Sequence, residues 1–232
     1  MKTRVRNINQ IVEEQMQKWQ LLQPTVKAEK TSPPVITLSR QAGSGGNTLA
    51  KKIAEDLGFD LFHQEVIHEM AQSSKVSARL LETLDERGVS ILEDWINSLV
   101  HEKHLWPDQY LKHLLKVIGT IDRHGAAVLI GRGANFILPK NRRFRVRVVA
   151  PKDYRIGLVA KGFKVSKDTA SARVNQTESN RKTFIRKYFN ADIADPINYD
   201  LTINTGELSI EAASAAVKAG FSHWRKSVRP LA

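Results

Sequence analysis

Residues 35–48 of this 232-residue chain read VITLSRQAGSGGNT, and no other stretch restricts the possible folds as strongly. Val35-Ile36-Thr37-Leu38 is a β-branched run suited to a short strand. The chain then turns through Gly43, Ser44, Gly45 and Gly46 and takes up a helical pattern from Asn47. A strand that passes through such a turn into a helix is a βα unit with an anion-binding turn. Glycine lets the backbone curl until several N–H groups point inward, and the helix N-terminus adds a partial positive charge. An ordinary βα turn commonly needs one glycine, so three within four residues favour phosphate.

The rest of the chain extends this architecture. Asn47 to Leu57 places Leu49, Ile53 and Leu57 on one helical face and stops at Gly58, a typical C-terminal glycine. Phe59 to Phe62 predicts a second strand, and Gln64 to about Arg123 is helical, with Trp95, Trp106 and a break at Pro107. Ala126 to Ile130 is an apolar strand ending in Gly131-Arg132-Gly133, and Phe144 to Ala150 is another, followed by Pro151. Asp200 to Asn204 is the last strand and Ser209 to about Trp224 the closing helix. Short apolar strands separated by helices predict a parallel sheet covered on both faces, with ligands at the carboxyl ends of the strands. Ser39-Arg40, His63, Gly131-Arg132 and Pro151 fall at that edge. Arg145 and Arg147 fit a buried strand poorly; they predict a strand partly open to solvent, or arginines that snorkel outward.

Ahead of the first strand, Val5, Ile8, Val12, Met16, Trp19 and Leu22 recur at helical steps. Such an amphipathic helix either packs on its own domain or pairs with a second copy as a homodimer contact. Pro24 and KAEKTSPP form a linker. The expected division is therefore residues 1–34 as helix and linker, and 35–226 as one α/β domain.

Composition narrows the setting. Without cysteine there are no disulfides and no thiolate metal sites, in keeping with a reducing cytoplasm. The first residues hold no apolar run of the secretory type, and no membrane span of about 18 apolar residues is expected. The net charge of +12 is concentrated: residues 140–187 carry fifteen Lys and Arg against Asp153, Asp168 and Glu178. A patch of that kind suits nucleotide phosphates, nucleic acid or an anionic surface. Clustered aromatics among the basic residues, which single strands need for stacking, are missing, so nucleic acid is the weaker reading.

Phosphoryl transfer needs a backbone cradle, cations that follow the moving charge, and usually Mg²⁺. Gly43 to Thr48 supplies the cradle. Arg155 opens the helix after Pro151, and Arg181, Lys182 and Arg186 lie on a helix beyond KGFKVSKDTASARVNQTESN, a stretch with the composition of a mobile flap. His63 stands alone at the binding edge, and His101, His104, His113 and His124 lack metal-motif spacing.

With these residues assembled, the chain resembles the cytidylate kinase-like family of P-loop nucleoside monophosphate kinase relatives. ITLSRQAGSGGNTLAKKIAEDLGFDLFHQEVI, VLIGRGANFIL, RVVAPKDYRI and NYDLTINTGELSIEAA carry the resemblance, over roughly residues 35–218. It implies a P-loop NTPase-type parallel five-stranded sheet flanked by helices, a helical NMP-binding insertion at about 64–123 and a lid at about 156–190. The implied activity is transfer of the ATP γ-phosphoryl group to CMP or dCMP with Mg²⁺. The implied phosphate-binding residues are Arg40, Gly43, Ser44, Gly45, Gly46, Asn47 and Thr48, with Asn47 and Thr48 as Mg²⁺ ligands. Arg155, Arg181 and Arg186 are the implied catalytic cations, and His63, Arg132 and Glu178 the acceptor-binding residues.

The sequence also departs from the family pattern. The P-loop G-x-x-x-x-G-K-[ST] has lysine where this chain has Gly46, and positive φ is the expected reason for a glycine there. Arg40, Lys51 and the lid arginines are the candidate replacement cations. His63 and Gly133 stand where the family has acids, and Val174 and Asn175 stand in place of lid arginine and aspartate. A nucleotide-binding regulator with a degenerate P-loop is the alternative to a kinase.

Overall fold

The computed structural model describes residues 8–22, 32–102 and 107–228. The expected contributions of Val5, Pro24, most of the linker and Trp106 lie outside these residues. The described chain divides into two compact units, one from Met1–Pro33 with Phe62–Gly125 and one from Pro34–Leu61 with Ala126–Ala232.

The second unit carries most of a five-stranded parallel sheet. Its strands are β1 (Val35–Arg40), β2 (Asp60–Phe62), β3 (Ala127–Ile130), β4 (Arg143–Val149) and β5 (Leu201–Asn204), in the order β2-β3-β1-β4-β5. β1 lies in the middle, with Leu38 opposite Ile130 of β3 and Val146 of β4. Strand order reverses about β1, so a crevice opens at its carboxyl end, where a doubly wound sheet binds ligands. Helices α2 (Gly46–Leu57) and α10 (Ile210–Ser227) cover one face. Leu49 and Ile53 of α2 and Val217 and Phe221 of α10 pack on Ile36, Val128, Val146 and Ile203. Gly58 ends α2 in the left-handed conformation, and its N–H caps the last carbonyls.

The arginines of β4 differ from expectation. Phe144, Val146 and Val148 alternate toward the covered face, which sends the arginines to the other. Arg147 does not snorkel: it is buried, donates to Ser39 Oγ at 2.6 Å and lies over the Tyr199 ring at 5.7 Å. Arg145 pairs with Asp200 at 2.6 Å. Burial pushes the Arg143 guanidinium down to about 10, with Arg145 adding repulsion.

The stretch 161–180, expected as a flap, is mostly helical. Helix α7 (Ala134–Ile137) follows β3, and after β4 come α8 (Lys152–Phe163) and α9 (Lys167–Phe189). Ser166 caps α9 by accepting from the Thr169 N–H, Lys164 closes α8 in the left-handed conformation, and Arg173 lies over the Phe163 ring at 4.9 Å. Ser, Thr and Asn within this stretch sit at the cap and on the solvated face of a helix rather than in a loop.

The first unit is helical: α1 (Ile8–Leu22), α3 (Gln64–Gln72), α4 (Ser74–Leu81), α5 (Glu86–Glu102) and α6 (Gln109–His124). The α1 stripe is buried inside it through Val12, Met16 and Trp19, and Trp19 stacks on His124 at 4.1 Å. These three described side chains of the stripe are therefore covered by the chain itself. α1 clusters with α3–α6 instead of standing apart as an N-terminal element.

Candidate active site

The turn after β1 is fixed by hydrogen bonds to its own unit. The Gln41 N–H donates to the Val148 carbonyl at 2.9 Å, and Gln41 Oε1 accepts from the Ala150 N–H at 3.0 Å. Ser44 is buried, and its hydroxyl donates to the Gln41 carbonyl at 2.9 Å. The Ser44 carbonyl accepts from Thr205 Oγ1 at 2.6 Å. The Ser44 side chain thus shapes the turn from within.

Gly43 and Gly45 are left-handed, with φ of 80° and 73°. A Cβ on Gly43 would also overlap the Arg155 carbonyl oxygen, so only glycine fits there. Gly45 is the N-cap of α2 and supplies no capping side chain. The first N–H groups of the helix consequently have no intrahelical acceptor and no side-chain cap. Two left-handed glycines leading into a helix are the turn geometry that the glycine-rich sequence predicts. Gly46 corrects the expectation: its φ is not positive. Space is the reason, because a Cβ there would stand 2.5 Å from Arg40 Cβ. Arg40 is buried, and its Nε donates to Asn47 Oδ1 at 3.2 Å.

Helix α9 meets the turn along one face. Ala170, Val174, Glu178, Arg181, Ile185 and Phe189 recur at three- and four-residue steps and turn inward. Most are apolar, but Glu178 and Arg181 fall where the helix passes the loop. A Glu178 carboxylate oxygen accepts from the Ala42 N–H at 2.5 Å, and Arg181 Nη1 donates to the Arg40 carbonyl at 2.8 Å. Glu178, expected on the acceptor side, is thus bonded to the loop backbone. Val174, where the family has an arginine, is buried in the stripe. Arg186 is exposed; five residues beyond Arg181, it points roughly 140° away around the helix. Arg155 is buried as well, with Nε bonded to the Ala150 carbonyl at 2.9 Å and Nη1 to the Ala42 carbonyl at 3.3 Å. Its guanidinium ties the loop to the end of β4.

At the neighbouring strand end, the Gly131 N–H donates to the Leu38 carbonyl at 3.1 Å, holding β3 against β1. Arg132 follows with φ of 51°, a conformation that costs roughly 1–3 kcal/mol outside glycine. Its Nε is buried without a hydrogen-bond partner, and its guanidinium lies 5.3 Å from the Phe184 ring centre on α9. Gly133 is left-handed, and a Cβ there would overlap the Phe189 ring, which accounts for glycine where the family has an acid. His63 belongs to the helical unit, as the N-cap position of α3. Asn47 and Thr48 are exposed in the first turn of α2. Lys51 also points outward, toward Glu55 at 3.7 Å.

Two contacts were not foreseen from sequence: Arg155 to the Ala42 carbonyl, and Thr205 to the Ser44 carbonyl. Both join segments more than a hundred residues apart. Ser209, four residues after Thr205, caps α10 by accepting from the Ala212 N–H, but nothing in sequence marks the threonine itself.

The profile of the cytidylate kinase-like family matches residues 35–207. A cytidylate kinase of Pyrococcus horikoshii is 31% identical over 191 residues, which span 82% of this chain and 88% of that protein. A cytidylate kinase of Natronomonas pharaonis is 28% identical over 187 residues, spanning 80% and 88%. The crystal structure of an uncharacterized protein from Eubacterium ventriosum aligns with 82% of this chain and 98% of its own, at TM-score 0.57 and 21% identity, a likeness of fold. The sheet order, the glycine turn after its central strand and the matched residues agree: this chain belongs to the cytidylate kinase-like family.

Proposed function

We propose that the protein transfers the γ-phosphoryl group of ATP to a nucleoside monophosphate, with CMP or dCMP as the acceptor. The observation that carries this reading is the cradle: two left-handed glycines at the start of α2, backed by Arg155 and bonded by α9 through Glu178 and Arg181. Backbone N–H groups of residues 43–48 hold the phosphates of ATP, where fixed dipoles stabilise charge without reorganising. Arg181 sits on the helix side of the loop and follows the transferred group. Arg132, strained and with an unsatisfied buried Nε, stands at the β3 end and binds the acceptor phosphate. Thr48 would offer Mg²⁺ a hydroxyl oxygen beside the nucleotide phosphates, whereas Asn47 Oδ1, the other expected ligand, is already bonded to the Arg40 guanidinium. The ion, when bound, neutralises charge on the β- and γ-oxygens. Arg155 holds the loop in place and acts by positioning it. Arg186, exposed on the far side of α9, contributes to the general positive field of the segment. In the helical unit, α3–α6 and His63 form the acceptor-binding insertion.

Gly46 in place of the lysine favours a second reading, a nucleotide-binding regulator with little turnover. A coupled ADP-release assay with Mg-ATP against CMP, dCMP, UMP, AMP and GMP separates the two. The kinase reading expects turnover with CMP or dCMP well above the ATPase background. Nucleotide binding without transfer to any monophosphate would leave the regulator.

A further inference from the structure

Laid on the P-loop pattern G-x-x-x-x-G-K, residues 40–46 read R-Q-A-G-S-G-G. Two positions depart from the pattern. The first glycine of the pattern is Arg40, and the lysine is Gly46. The loop has not lost its cation; the cation stands at the other end of the same turn.

The geometry makes the two departures one. A Cβ on Gly46 would lie 2.5 Å from Arg40 Cβ and 3.0 Å from Arg40 Cγ, near the root of that side chain, where a rotamer change gives little relief. The Arg40 stem therefore occupies the place from which a lysine at 46 would start. Its Nε then reaches Asn47 Oδ1 at 3.2 Å, which sets the guanidinium beside the first turn of α2. The Arg40 backbone is fixed by the bond from Arg181 to its carbonyl, so truncating its side chain leaves that lid contact intact. Lys51, the other candidate close in sequence, points outward toward Glu55.

We infer that Arg40 is the cation this loop places on the β- and γ-phosphates of ATP, and that Gly46 is glycine because the Arg40 side chain passes over it. A guanidinium suits this place, since its planar fork contacts two phosphate oxygens where an ammonium acts as a point charge. The inference rests on the nucleotide-binding reading of the loop, and it holds whether or not turnover is efficient.

The test reads Mg-ATP affinity by calorimetry, so that failure of the kinase reading does not mask it. Arg40→Met keeps the apolar stem and removes the charge. It is expected to weaken ATP by about tenfold or more, the size of a charge-assisted phosphate contact, with an unchanged circular dichroism spectrum. ADP should be weakened less than ATP, since it offers no γ-phosphate; a merely structural role would move both alike. Gly46→Lys alone is expected to weaken ATP through the clash. The double variant Arg40→Gly with Gly46→Lys restores the usual arrangement and is expected to bind ATP at least about fivefold better than Gly46→Lys, a non-additivity proper to residues in contact. Arg40→Met binding ATP like the parent, equal losses for ADP and ATP, or a double variant no better than Gly46→Lys would each overturn the inference. A parent that binds ATP but transfers nothing defeats the kinase reading alone. A parent that binds no nucleotide defeats both.

Discussion

The loop after β1 and helix α9 meet at one place and work by opposite means. The loop is built for backbone contact: Gly43 and Gly45 are left-handed, and the Ser44 hydroxyl bonds inward. Helix α9 recognises with side chains: Glu178 and Arg181 reach the loop from a stripe otherwise filled by Ala170, Val174 and Ile185. A backbone site is sensitive to what is added, and a side-chain site to what is removed. Adding a methyl group to the loop should do more harm than truncating any one lid residue.

The largest expected effect follows directly. Gly43→Ala puts a Cβ onto the Arg155 carbonyl and forces a left-handed alanine, so the loop must move. Nucleotide affinity should fall beyond detection by calorimetry, with a lower melting temperature. Arg181→Ala comes next: in the proposed role of a cation that follows the transferred group, its loss should reduce kcat by about a hundredfold, with a smaller change in KM. Arg132→Ala should act mainly on the acceptor, raising its KM by roughly ten- to a hundredfold, the size of a lost charged hydrogen bond. Steady-state kinetics with the acceptor varied reads both. Equal, small effects from Arg181 and Arg132 would dissolve their separate roles. The smallest effect belongs to Arg186→Ala, which should stay within about twofold because surface changes away from contacts are near neutral. A loss as large as that of Arg181→Ala would show that α9 rotates during the reaction.

The two regions also differed in how far the sequence revealed them. Strands β1 and β3 and helix α2 announce themselves by apolar runs and by Gly58, because local backbone rules act within a few residues. The loop glycines were legible for the same reason. Of helix α9 only the end around Arg181 to Arg186 is legible; its inward stripe mixes Ala, Val, Glu and Arg without a clear apolar period, and the Ser, Thr and Asn of its first part resemble a loop. At Gly46 the sequence shows the departure from the pattern and suggests backbone conformation as its cause. The actual cause, the Arg40 stem six residues earlier, depends on how the turn folds back on itself. Arg155 and Glu178 were placed by motif at the chemistry, yet the guanidinium of one and the carboxylate of the other are bonded to loop backbone. A motif gives the neighbourhood of a residue; which group it bonds is set by packing from distant segments.

The central claim is that the backbone at Gly43 to Thr48 holds the phosphates of ATP, and Gly45 tests it most directly. A side chain there has ordinary room, 3.5 Å from Ile210 Cδ1, so what valine changes is the left-handed backbone at φ of 73°. β-Branched residues essentially do not adopt that conformation. Titration of Mg-ATP into the parent and into Gly45→Val, each shown folded by circular dichroism, is the measurement. The account predicts saturable binding by the parent and none by the variant. A folded Gly45→Val protein that binds ATP as the parent does would contradict it.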